Sequence, residues 1–161
     1  MTYDDPADSG QILAIIAIVY GVAILVSLLF LVAYYIVMAL ALSKFFRKVG
    51  VESWIAWIPV YSSWKWLEVG EFPGWITLLS FIPGANIVVS VFLYMGMWRT
   101  GIAFRKDAGF LVLGIFLPFV WLFMLGGRET EYHPEYISMA GFPPPIAGYA
   151  SVPRPPGSPI F

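Results

Sequence analysis

"VESWIAWIPVYSSWKWLEVGEFPGW", residues 51–75, is too aromatic and apolar for a loop, yet carries several charges for a membrane span. Whether the chain crosses a bilayer here decides which side holds its basic connections. Upstream lies the charge-free run from Gln11 to Ser43, followed by Lys44, Arg47 and Lys48; downstream lies a second such run, Phe72 to Trp98. A third, Ala108 to Gly127, follows the basic connection "RTGIAFRKD". Each run reaches the ~20 residues that span a ~30 Å hydrocarbon core at 1.5 Å per residue.

The composition agrees with a lipid solvent. The chain is 60% hydrophobic and only 12% charged, against about 25% charged in a typical soluble domain. A formal charge of −1 leaves no basic face for nucleic acid. With no cysteine, thiolate nucleophiles and cysteine metal sites are excluded. The acidic start "MTYDDPADSGQ", the length of the first run and the basic cluster after it argue for an uncleaved anchor rather than a signal peptide.

Three crossings would put Lys44, Arg47 and Lys48 on one face and Arg99, Arg105 and Lys106 on the other, against the tendency of short basic loops to stay cytoplasmic. If residues 52–69 also cross, both basic loops, 44–52 and 99–107, face the cytoplasm, and both termini face out. Ser53 to Trp64 offers ~18 Å of uncharged helix; extension to Val69 requires Lys65 and Glu68 to snorkel outwards. Tryptophans 54, 57, 64, 66, 75 and 98 then sit near the two interfaces. The alternative lays 52–69 along the surface and makes 75–98 re-entrant, bent at "PGAN". A cysteine at Phe72 probed with an impermeant reagent separates the two.

The expected fold is therefore all-α: an integral membrane bundle of four helices, about 11–44, 52–69, 75–98 and 108–127, after an acidic segment 1–10. Pro59, Pro83 and Pro118 fall near the middle of the last three and predict kinked helices. From Arg128 to the end the chain carries eight prolines and few aliphatics, which predicts a disordered tail over 128–161.

Reactive constellations are weak. Asn86 lies halfway between Trp75 and Trp98, at midplane depth if that helix spans. There it reads as interhelical glue beside a proline kink, or as a substrate contact in a broken helix. Ser62 and Lys65 have the spacing of a Ser/Lys nucleophile pair, without a companion motif. His133 between Glu131 and Glu135 lacks the rigid additional ligands of a metal site. Ala17 and Gly21 have the spacing of a close helix–helix contact. Hence no catalytic, cofactor-binding or metal site is assigned, and the chain is read as no enzyme.

Three stretches resemble an uncharacterised family of small multipass integral-membrane domains, some fused to signal-peptidase-type proteins. The first, "FFRKVGVESWIAWIPVYSSWKWLEVGEFPGW", carries Gly50, Trp54, Ile58, Pro59, Tyr61, Gly70, Pro73, Gly74 and Trp75 of its pattern. "LLSFIPGANIVVSV" carries Ile82, Pro83 and Asn86, and "FRKDAGFLVLGIFLPFVWLFMLGG" carries Gly109, Phe110, Gly114, Leu117 and Pro118. Ser62 stands where that family often has Asn. The resemblance covers about residues 44–128 and implies a membrane fold without an established activity. The expected function is that of a non-enzymatic accessory or assembly protein of the cell membrane, whose partners are the lipid bilayer and other membrane proteins or a second copy. The alternative is a small channel or transporter subunit with a midplane polar site at Asn86.

Overall fold

The computed structural model describes residues 6–149. Among them are six α-helices, two 3-10 helices and no strand. Helix α1 (Pro6–Val49) is long and apolar enough over Gly10–Val49 to cross a membrane. Arg47 and Lys48 in its last turn complement the helix dipole. It ends at Gly50, whose φ of 86° lets the Val51 N–H reach back to the Phe46 carbonyl at 2.8 Å, a Schellman closure. The chain divides into two compact units after Val37. In the first, every described side chain from Gln11 to Val37 is exposed. In the second, the end of α1 becomes a core element: Ala41, Leu42, Phe45, Phe46 and Val49 are buried at helical spacing.

Each of the other three expected helices is broken in two at its proline. Residues 52–69 become a 3-10 helix (Ser53–Trp57) and α2 (Pro59–Val69); 75–98 becomes a second 3-10 helix (Gly74–Phe81) and α3 (Asn86–Ala103). Residues 108–127 become α4 (Ala108–Phe116) and α5 (Pro118–Leu125). The expectation of kinked continuous helices is thus corrected, and the cause is local. A proline sterically bars the α conformation from the residue before it. Ile58 (φ −107°, ψ 105°), Ile82 (φ −91°, ψ 122°) and Leu117 (φ −133°, ψ 67°) are all non-helical. Pro59 and Pro118 then open the next helix, where the missing N–H costs nothing.

The halves fold back on each other. A Cβ on Gly114 of α4 would lie 2.9 Å from Trp121 Cδ1 of α5, although seven residues of straight helix span ~10 Å. Leu67, Phe72, Ile76 and Val89 similarly form one small core from α2, the following turn, the second 3-10 helix and α3. The bend at Pro83 is the one the re-entrant alternative called for.

The four-span arrangement separates Glu71 and Arg99 by the whole membrane, ~30 Å. Here Arg99 Nη1 donates to Glu71 Oε2 at 2.8 Å. The outer turn and the inner connection of that arrangement therefore meet, and residues 75–98 do not hold them apart.

Residues 128–149 are ordered, which corrects the disordered tail over that range; the rest of it lies outside the described residues. Helix α6 (Glu135–Met139) buries Ile137, and Tyr132 and Ala147 join the same core as Phe45, Trp121 and Leu125. The proline count misled because a few buried side chains, Ile137 wholly so, suffice to join this segment to the core.

Candidate functional site

The residues from 126 onward stitch together four turns of the second unit. Lys48 Nζ donates to the Gly127 carbonyl and, at 2.7 Å, to Thr130 Oγ1. The His133 N–H reaches the Ala103 carbonyl at 2.9 Å, and the Ile146 N–H reaches the Glu68 carbonyl at 2.9 Å. Gly148, at φ 91°, packs against the Val49 carbonyl so closely that a Cβ would collide with it. Arg105 lies over the Tyr136 ring at 5.6 Å. The turns at 44–52, 68–73, 99–107 and 126–130 therefore share one side of this unit, which we call its base.

At the centre of the base stands the Glu71–Arg99 pair. The Glu71 side chain is fully buried and that of Arg99 nearly so. The guanidinium also lies over the rings of Phe72 and Phe142, at 4.4 and 4.8 Å. Glu71 has φ 72° and occupies the left-handed position that closes α2, with the Phe72 N–H bonded to the Leu67 carbonyl at 2.9 Å. Glycine is usual there, and a side chain costs about 1–2 kcal/mol; here its carboxylate engages Arg99. Burial raises the Glu71 pKa above its usual range, against the lowering effect of Arg99. Glu71 Oε1 and Tyr132 Oη are both buried without a hydrogen-bond partner. Burial, then the charges of Glu71 and Glu135, push the Tyr132 phenol upward too. Sequence reasoning missed this pair because Glu71 and Arg99 belonged to different turns. The available signal was that each is a lone charge bordering the same apolar run.

Between these turns along the chain, the three proline breaks present apolar side chains. Ile58, Phe81, Ile82, Ile87, Phe116 and Leu117 are all exposed, Phe116 at 77%. The backbone of the three pre-proline residues is nevertheless satisfied. The N–H groups of Ile58, Ile82 and Leu117 donate to Ile55, Leu79 and Leu113 at 3.1, 3.0 and 2.7 Å. The carbonyls of the same three residues accept from Ser62, Ala85 and Trp121 at 2.8, 3.1 and 3.1 Å. Each pre-proline residue thus ends one helix and begins the next turn without an orphaned group.

The other singled-out residues are dispersed. Asn86 opens α3, where its carbonyl accepts from Ser90 Oγ at 2.9 Å; it is at the turn that follows the Pro83 break rather than mid-helix. Ser62 Oγ donates to the Pro59 carbonyl at 2.8 Å and Lys65 Nζ to Glu68 Oε2 at 2.7 Å, so the two do not pair. His133 is flanked by Glu135 at 2.9 Å and Glu131 at 3.3 Å, and no group of three or more potential ligands is placed for a metal among the described residues. Ala17 and Gly21 are exposed on α1. Two clefts remain. One of about 490 Å³ is apolar and runs between α3, Leu111 and Phe142; one of about 310 Å³ lies between Gly50, Tyr61, Lys65 and Gly148.

A family model, described as a family of unknown function (DUF5684), matches residues 54–135, half of the chain. The chain belongs to this family. The DUF5684 match includes all three proline breaks and both partners of the Glu71–Arg99 pair, and it begins after α1. Neither a curated protein nor a solved structure matches the chain.

Proposed function

We propose that this chain is a bilayer-embedded, non-enzymatic accessory or assembly protein, anchored through α1. One observation carries the reading: α1 is apolar over a length that can cross a bilayer, and among the described residues every side chain from Gln11 to Val37 is exposed. Such a surface in water would be an aggregation hazard; in a membrane it is open to lipid and to partner helices. The resemblance of residues 44–128 to small integral-membrane domains supports the same reading. Orientation follows from charge. Lys44, Arg47, Lys48, Arg99, Arg105, Lys106 and Arg128 all border the base, which favours a cytoplasmic base and an outer acidic N-terminus.

The test is isolation from native membranes in mild detergent, beside a chain whose residues 11–37 are replaced by polyleucine. A partner or second copy should accompany the native chain and be lost from the replaced one, which keeps an apolar crossing but not this surface. Recovery of the native chain alone would overturn the assembly role.

A further inference from the structure

We propose that the second unit is a single-leaflet insertion domain, whose ligand is the acyl-chain layer of one monolayer and whose rim is its headgroup region. The chain then crosses the membrane once, through α1. The proposal rests on the bilayer reading above and replaces a four-crossing topology within it.

Length is the first argument. The 11 residues of α2 rise ~16 Å and the 8 of the second 3-10 helix ~16 Å. The 9 residues of α4 rise ~13 Å and the 8 of α5 ~12 Å. Half of a ~30 Å core is ~15 Å, so these four limbs match one monolayer; the 18 residues of α3 rise ~27 Å, of which ~20 Å lie between Asn86 and Arg99, where the base begins. The second argument is backbone chemistry. Irregular backbone facing lipid must satisfy its own polar groups. At all three breaks the pre-proline N–H and carbonyl are both bonded within the turn. Nearby hydroxyls do likewise: Ser62 and Ser63 donate to the Pro59 carbonyl and Ser80 to that of Thr77.

The third argument is polarity. The breaks end in exposed Ile58, Phe81, Ile82, Ile87 and Phe116, with the exposed amide of Asn86 beside Ile87, and no charged residue occurs from Ser53 to Trp64, Phe72 to Trp98 or Ala108 to Gly127. At the other end the base holds the charged residues, arginines and lysines interspersed with glutamates and Asp107, with exposed Trp75 and Trp98 near it. Aromatic and basic side chains of this kind favour the headgroup layer. A largely apolar tip, limbs near one-monolayer length and a charged aromatic rim are what insertion to half depth requires.

The native chain has no cysteine, so single cysteines report cleanly. The full chain carrying Ile87→Cys or Phe116→Cys at the tips, Pro73→Cys, Ala108→Cys or Glu129→Cys at the base, or Gly10→Cys in α1 is reconstituted into sealed vesicles of phosphatidylcholine and phosphatidylglycerol. An impermeant maleimide is applied from outside, then after permeabilisation. In any one orientation the three base positions should react from one face and Gly10→Cys from the other. The tip positions should react from neither, and a fluorophore placed there should be quenched more by deep than by shallow nitroxide lipids. Labelling of Pro73→Cys from the face opposite Ala108→Cys would overturn the proposal in favour of full crossings. Tips that react as fast as Glu129→Cys, with Gly10 and Ala108 still on opposite faces, would overturn insertion while leaving the anchor intact. Extraction of the native chain by alkaline carbonate would overturn the bilayer reading itself.

Discussion

Glu71 and Gly70 close α2 by different means. Gly70 has an ordinary φ of −83°, but a Cβ there would overlap the Gly96 backbone of α3. Gly70→Ala should therefore destabilise the domain by about 1–3 kcal/mol through overpacking. Gly101→Ala in α3, where nothing lies within 4 Å, should stabilise by about 0.5–1 kcal/mol from helix propensity; unfolding midpoints in micelles compare them. Glu71 supplies a pH test. Its folded pKa is raised by burial above 4.5, so the folded state holds its proton more tightly than the unfolded state does. That contribution to stability is complete below the unfolded pKa and is lost as pH rises through the folded one. The difference in melting midpoint between the native chain and Glu71→Gln should fall over that window and level off above it. A flat difference would show that the carboxyl is not desolvated. Neither residue's role was legible in the sequence, since a close approach across the gap from Gly70 to Gly96 leaves no local pattern.

At the scale of elements, the three prolines are visible in the sequence as interruptions and predict kinks. Periodicity reports which residues are apolar, and a bent span and a doubled-back pair of half-length helices share that signal. The distinguishing physics was the pre-proline restriction, repeated at Ile58, Ile82 and Leu117. Pro118→Ala lifts it, and α4 and α5 then have the option of joining. Spin labels at Gly109→Cys and Met124→Cys should be close together in the native background. The Pro118→Ala background should add a population near the ~22 Å of a straight 15-residue rise. An unchanged distance distribution would mean that packing of Trp121 against Gly114, rather than the proline, holds the bend.

For the whole molecule, α1 was the most legible part; the structure extends it to Val49 against an expected end near 44. The solvent class and the bordering of apolar runs by basic residues were also readable. The tail was not, because its prolines dominated the composition while Tyr132, Ile137 and Ala147 carry the packing. Ile137 is wholly buried, so Ile137→Ala should lower the unfolding free energy by about 2–5 kcal/mol. Equal melting midpoints for this variant and the native chain would return residues 128–149 to a passive appendage.

The stitching of the base also sets an order in time. Within α4–α5 the partners are near neighbours in sequence, as with Gly114 and Trp121, whereas the bonds from Thr130 to Lys48 and from Ile146 to Glu68 join residues 82 and 78 positions apart. Short closures form ahead of long ones. The proline-tipped pairs should thus be seated while the ring of turns is still open, and the last segment acts as a latch that shuts behind them. In pulsed hydrogen exchange during refolding, protection should reach the Leu117 and Trp121 amides before those of His133 and Ile146; the reverse sequence would make the latch a nucleus.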